Sequence, residues 1–361
     1  MIMIGIDPHK STHTAVAIDD KEVVLAEYKV RASSRQLERL QEWASDFDDR
    51  HWAVESAGGL GYLLAQQLVG DGEVVFDVPP MLAARVRLLG TGRSQKSDPN
   101  DARSVAIAAL RSERLTRVSS ENHVQVLRML AKRHRDMSRT RAKSKTRLHA
   151  VMLELRAGGL ASKMSVNKAE VFLETVTVTD AVVRHRMLIA QELVAEIAEM
   201  DQRLKASNKR LAEAVRASGS TVTDVVGIGP FCAATIIGYT GDIGRFPTKN
   251  HYATYNATAP IEASSGDNAR HRLNPRGNRY INHAIHIAAV SQLSYDSEGR
   301  RYYDRKLAEG KNPKEAVRCL KRRISDAVYR RLKTDRVATS SHADCALAES
   351  ASAGPAPRVS C

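Results

Sequence analysis

The sequence predicts an α/β amino-terminal domain on a mixed sheet, followed by a mainly α-helical remainder. Three observations predict it: short apolar runs at turn spacing near the start, a long basic stretch of helical period, and a heptad frame beyond it. "MIMIGID", "THTAVAID" and "EVVLAEYKV" follow one another closely enough to form an antiparallel meander. "SSRQLERLQEWASDF" starts with serines and carries Leu37, Leu40 and Trp43 at helical spacing. "HWAVES" reads as a strand, "GYLLAQQLVGDG" as a helix closing on glycine, and "EVVFDV" as a strand before Pro79 and Pro80. A helix from about Met81 and another at "KSDPNDARSVA" complete the series.

That order, β-β-β-α-β-α-β, is the plan of an RNase H-like sheet. Right-handed crossovers lay "HWAVES" parallel to the first strand, so Asp7 and Glu55 meet at neighbouring carboxyl ends, where open α/β sheets bind ligands. Asp98 and Asp101 surround Pro99 where a helix begins. Asp98 as N-cap, Pro99 at the first and Asp101 at the third helical position is a sufficient explanation of that stretch alone. The same two residues share a helix face. With Asp7 and Glu55 they form an acidic set that repels itself unless cations with a taste for oxygen, Mg²⁺ above all, lie between them. Two such ions would clamp both oxygens of a phosphodiester exchange. Capping and metal binding are compatible at Asp98.

The chain has 361 residues, 55 Lys+Arg against 41 Asp+Glu, and a net charge of +14, which points to a polyanionic partner. Aromatic residues make up only 5%, so phosphate contact is expected to outweigh base stacking. Cys232, Cys319, Cys345 and Cys361 lack metal-ligand spacing and read as free thiols in a reducing cytoplasm. No apolar run reaches membrane-spanning length, and the start of the chain does not read as a signal peptide; a soluble cytoplasmic protein without membrane contact is expected.

From Val124 to Arg156 a basic helix presents Arg135, Arg139 and Lys143, a run that repels itself unless an anion lies against it. From Ala190 to Ala214, Leu193, Ile197, Met200, Leu204, Ser207 and Leu211 occupy alternating a and d positions; the seam is either a coiled coil between copies or a helix packed within its own chain. The expected divisions are 1–123 for the sheet domain, 124–218 for the long helices, 219–335 for a third unit and 336–361 for a disordered tail rich in Ala, Ser and Pro.

The third unit opens on "TDVVGIGPFCAATIIGYTGDIGRF", the outline of a helix-hairpin-helix, in which Gly227 and Gly229 would bring backbone N–H groups to a phosphate. "TAPIEASSGDNARHRLNPRGNRYINHAI" then places Ser264 and Ser265 in a glycine turn ahead of Arg270, Arg272, Arg276 and Arg279. Serine there is a turn residue unless a base or positive field activates it, and arginines can stabilise charge building on a phosphoryl group. His283 and His286 read as helix-packing residues.

These segments resemble the insertion-sequence-110 family of transposases, related to the Piv/MooV DNA invertases. The resemblance runs from "GIDPHKSTHTAVAID" through "WAVESAGGLGYLLAQQL", "KSDPNDARSVA", "GIGPFCAATIIGYTGDIGRF", "ATAPIEASSG" and "NPRGNRYINHAIHIAA" to "RRYYDRKLAEGKNPKEAVRCLKRRISDAVYRRL". It implies a RuvC-like domain whose acidic tetrad, falling on Asp7, Glu55, Asp98 and Asp101, binds Mg²⁺. It also implies a carboxyl-terminal transposase domain with a nucleophilic serine, at Ser265 or Ser264. The expected activity is recombination of donor and target DNA through a covalent protein–DNA link, guided by a structured RNA, in a dimer or tetramer. A hydrolytic, RuvC-like structure-specific endonuclease using only the carboxylates is the alternative, and a binding scaffold with a dead site the third.

Overall fold

The structure is a computed structural model, and it describes residues 1–91, 97–113, 115–160, 164–262, 271–272, 274 and 277–352; at 90–91, 261–262, 271–272 and 338–352 only the backbone is described. The chain divides into two compact units, Met1–Glu121 and Asn122–Cys361.

In the first unit, strands β1 (Ile2–Pro8), β2 (Thr12–Ile18) and β3 (Val24–Arg31) form the antiparallel meander. Helix α1 (Gln36–Trp43) leads to β4 (Arg50–Glu55), and α2 (Tyr62–Gly70) to β5 (Val75–Val78); both strands run parallel to β1. Helices α3 (Pro80–Thr91) and α4 (Asp98–Leu110) follow, and then β6 (Thr116–Arg117), a two-residue strand antiparallel to β5 that the sequence reading missed. The sheet order β3-β2-β1-β4-β5-β6 is the mixed, RNase H-like arrangement expected from the element order.

Strand periodicity divides the core between the two faces. Ile4, Ile6, Ala15, Ala17, Trp52 and Val54 pack with Leu40 of α1 and Leu64 and Leu68 of α2. Met3, Val16, Ile18 and Ala53 pack with Ala83 of α3 and Ala102, Val105 and Ala106 of α4. Residues of odd number in β1 and β4, and of even number in β2, therefore face α4. Gly5 is on that face: a Cβ there would fall on the Ala102 carbonyl oxygen and the Ala106 backbone nitrogen, so α4 lies directly on the strand.

The second unit is helical apart from one short hairpin. Helix α5 (His123–Leu155) begins in a capping box between Asn122 and Gln125. Helix α6 (Val166–Glu174) leads to α7 (Ala181–Ala217). Helices α5 and α7 run antiparallel, since His134 meets Ser207, Arg141 meets Asp201, Ser144 meets Glu196 and Glu154 meets Arg186. The heptad seam is buried within its own chain: Ala190, Leu193 and Ile197 join Leu148 and Met152 of α5 and Phe172 of α6, and Leu211 joins Leu127 and Ala131 of α5. That is the packed-helix alternative, with α5 occupying the groove a second copy would fill.

A 3-10 turn at Val222–Asp224 precedes α8 (Pro230–Thr240), which starts at Gly229 and carries Pro230 in its first turn. Only this three-residue turn, where the helix-hairpin-helix outline has its first helix, precedes the Gly-Ile-Gly segment. Gly238 lets α8 meet α5 at backbone distance, since a Cβ would stand 2.7 Å from Arg128 Cα. Helix α9 (Lys249–Tyr255), the hairpin β7 (Ile261–Glu262) and β8 (His271–Arg272), and helices α10 (Arg279–Leu293), α11 (Glu298–Ala308) and α12 (Pro313–Ser352) complete the unit. The α12 backbone continues as helix into the stretch expected as tail, and residues 353–361 lie outside the described residues. No helix among the described residues is long and apolar enough to cross a membrane.

Candidate active site

The strand registers bring four polar side chains into one rung across the sheet. Asp7 pairs with Thr14, and Thr14 with Lys29. On the other side Ile6 pairs with Val54, so Glu55 is beside Asp7 one position on. All four face α4 by the alternation described above. The rung thus reads Glu55–Asp7–Thr14–Lys29 from β4 to β3, and α4, which lies on Gly5 at Ala102 and Ala106, carries Asp98 and Asp101 in its first turn.

Asp7 is only 5% exposed. Burial pushes its carboxyl above the ordinary carboxylate range; His9 opposes this, and the charges of Asp101 and Asp98 add to it. Glu55 is raised by burial and then by the charges of Asp7 and Asp101, with Arg87 opposing. The two carboxyls also hydrogen-bond one another, and both stand above the ordinary carboxylate range. Lys29 Nζ donates to Asp98 Oδ2 at 2.8 Å and holds that carboxyl low, and Arg87 of α3 donates to Asp101 Oδ1. His9 Nδ1 stands 3.5 Å from Asp7 Oδ2.

The first turn of α4 corrects the capping expectation. Ser97 is the N-cap residue, Asp98 the first helical residue and Pro99 the second, and no side chain caps the helix. Asp98 is turned to Lys29 instead. Its carboxylate pairs with Lys29 rather than capping the helix, while both aspartates still stand in the first turn, where the helix dipole favours an acid.

These residues fit a divalent cation. One ligand atom each from Asp7, His9 and Asp98 lie within 4.8 Å of one another. The buried Thr14 hydroxyl, beside Asp7 on the rung, has no hydrogen-bond partner. A set rich in carboxylate oxygen, two of its members pushed toward neutrality by mutual repulsion and burial, is what a hard cation relieves. The sequence reading missed His9, Thr14, Lys29 and Arg87. Thr14 and Lys29 carry no motif of their own and become visible only through strand register, whereas "DPHKS" holds His9 two residues from Asp7.

In the second unit, Arg135, Arg139 and Arg279 line one cavity of about 810 Å³, while Lys143 is exposed on α5 outside it. His283 and His286 are not packing residues: both are exposed on the cavity side of α10. Gly227 has φ +84° and lies against α10, where a Cβ would stand 2.6 Å from the Ala288 carbonyl oxygen. Its freedom serves helix packing; Gly229 is exposed with open space where a Cβ would be. Of Arg272 the backbone alone is described, in β8. Ser264, Ser265, Arg270 and Arg276 lie outside the described residues. Burial pushes the Cys232 thiol up to about 11, which suits an inert core cysteine.

Residues 4–156 match a transposase family of the IS110 DEDD type, and residues 219–304 match the transposase IS116/IS110/IS902 family. An uncharacterized 44.8 kDa protein of insertion element IS116 from Streptomyces clavuligerus is 25% identical over 94% of this chain and 96% of its own. The uncharacterized 42 kDa protein of IS900 from Mycobacterium paratuberculosis is 24% identical over 93% of this chain and 96% of its own. The IS110 protein of Streptomyces coelicolor is 35% identical over 38% of this chain and 34% of its own. Among solved structures, RuvC of Thermus thermophilus in complex with a Holliday junction substrate is 17% identical, with a TM-score of 0.27 over 33% of this chain and 99% of its own.

Proposed function

From the premise that the chain belongs to the IS110/IS116 family of insertion-element transposases, we propose that it is a metal-dependent DNA recombinase acting through a serine nucleophile. The observation that carries the metal-dependent half is the rung Glu55–Asp7–Thr14–Lys29 with Asp98 and Asp101 above it. Asp7, Glu55, Asp98 and Asp101 would hold Mg²⁺, in one or two ions, with His9 beside them. Bound there, Mg²⁺ supplies charge neutralisation at a phosphodiester and orients its oxygens.

The chain's own residues prepare that site. Lys29 holds the Asp98 carboxyl low, and Arg87 donates to Asp101. The raised carboxyls of Asp7 and Glu55 must both be ionised before the set carries its full charge. The Thr14 hydroxyl is free to donate to Asp7 or to a water of the ion's shell.

The serine half of the proposal rests on the family resemblance of "ATAPIEASSG". The Oγ of Ser265, or of Ser264, would attack a backbone phosphorus. One Oγ–P bond forms, one P–O bond of the DNA breaks, and the serine proton balances the charge on the departing oxygen. A structured RNA from the element would pair with donor and target, and a dimer or tetramer would bring the parts together.

The test incubates the full chain, element-end DNA, target DNA, RNA transcribed from the flanking element and Mg²⁺, and reads joined products and protease-sensitive DNA adducts. Asp7→Asn should cut joining by at least about 10²–10³-fold, the scale for losing a charge-stabilising group, while leaving nucleic-acid binding intact. Ser264→Ala with Ser265→Ala should remove the adduct. Cleavage to free ends that survives the double serine change would replace the recombinase with the hydrolytic endonuclease.

A further inference from the structure

We propose that the cavity between α5, α10 and α12 of the second unit is a binding site for a phosphodiester of a nucleic-acid strand, clamped by Arg135, Arg139, Arg279 and Lys321. The cavity, of about 810 Å³, has these four cations on its wall and no carboxylate among its described lining residues. None of the four has an ion-pair partner among the described residues, although elsewhere on α5 Arg141 is paired with Asp201.

Lys321 is 8% exposed, and among the described residues its Nζ donates to Asn282 Oδ1, at 2.6 Å. An ammonium group in that position is costly to bury without an anion. Burial holds Lys321 below the usual lysine range. Arg135 is held flat: its guanidinium carbon is 4.0 Å from the Tyr280 ring centroid and 5.5 Å from that of Tyr239, and its Nη1 reaches Tyr239 Oη at 3.3 Å. Its Nη2 is buried with no hydrogen-bond partner. A planar fork fixed against rings, with one edge spare, is preorganised for an oxyanion. Burial lowers His283 and then the charges of Arg135, Lys321 and Arg139 lower it further; His286 is lowered by burial and by Lys321. An unbalanced positive field fills the cavity.

The polymer is favoured over a small anion by what continues outside. Arg135, Arg139 and Lys143 stand four residues apart on α5, hence on one face with a rise of about 6 Å between them, comparable with successive phosphates on an extended strand. Arg139, Lys143 and Arg279 are exposed, so a strand would run from the cavity onto the helix. The proposal deepens the transposase reading only by locating contact with nucleic acid; it needs neither the acidic rung nor the serine.

The test measures binding of a labelled single-stranded DNA oligonucleotide to the full-length protein across a salt series. Arg139→Gln with Arg279→Gln, both at exposed positions, should weaken binding about tenfold or more and lower the slope of log K against log salt by roughly 1.4, two phosphate contacts at about 0.7 each. Lys321→Met should weaken binding in the same direction while the melting temperature holds or rises, because it removes a buried charge lacking an anion. Unchanged affinity and slope in variants whose circular dichroism is native would overturn the proposal. So would millimolar inorganic phosphate raising the melting temperature of the wild type alone while all variants bind DNA normally, which marks a small-anion site. If the cavity variants lose binding and the wild type never joins DNA, the recombinase reading fails and this one stands. If they bind normally while Asp7→Asn abolishes joining, the reverse holds.

Discussion

The two units of this chain handle charge in opposite ways. In the sheet unit, acids are gathered and then partly answered from the chain itself: Lys29 holds Asp98, Arg87 holds Asp101, and burial with mutual repulsion raises both Asp7 and Glu55. In the helical unit, cations gather around a cavity with no carboxylate among its described lining residues. Folding tolerates the first arrangement at a modest cost, since each exposed pair is weak and screened. The second leaves a buried ammonium, bonded to Asn282, and a buried guanidinium nitrogen without an anionic partner among the described residues. The contrast teaches that an unanswered charge marks a ligand's place more sharply than an answered one.

The contrast can be broken or sharpened by substitution. The largest effect is expected from Gly5→Val, which drives a branched side chain into the backbone of α4. The first unit should lose about 3 kcal/mol or more, read as an early, separate melting transition, and divalent-ion binding should go with it. A stable variant that still binds the ion would show that α4 does not need the close approach.

A smaller effect is expected from pH. Asp7 and Glu55 are raised in the folded protein, so their contribution to stability is complete below their unfolded values, about pH 4, and is lost as pH rises through the raised ones. Asp98, held low by Lys29, has the opposite sign and counts less because it is exposed. Mg²⁺ at the proposed site would bind the ionised forms. The rise in melting temperature on adding Mg²⁺ should therefore be near zero at acid pH and grow toward neutrality; a pH-independent rise would remove the acidic rung as the ion's site. Smaller again, Lys29→Gln should change stability by at most about 1 kcal/mol, as for an exposed pair, while weakening Mg²⁺ binding by freeing Asp98 to turn away. Tighter binding would mean that Lys29 competes with the ion rather than orienting its ligand.

Much of the first unit was legible because its strands alternate and its turns are short. Asp7 and Glu55 could be placed together from strand order and the handedness of crossovers, before any side chain was seen. Thr14 and Lys29 could not: their place depends on register, which a sequence of apolar alternation leaves free by steps of two. β6 escaped because two residues carry no periodicity. The capping position was misplaced by one because Ser97 and Asp98 are both good N-cap residues, and Lys29, a contact 69 positions away, decided between them. In the second unit the seam of α7 was read correctly as apolar, yet its partner was open, since heptads do not say which helix fills them. The cavity was the least legible feature, because it draws Arg135, Arg279 and Lys321 from three helices far apart in the chain.

The close approach at Gly5 also sets a timetable for biosynthesis. Asp7 and Glu55 leave the ribosome well before Ser97, and β1 cannot bury its α4 face until that helix has emerged. A nascent or truncated chain ending short of α4 therefore holds half the acids on an uncovered sheet, without the shape that gathers a metal. The acidic rung is thus completed only when Asp98 and Asp101 have joined Asp7 and Glu55.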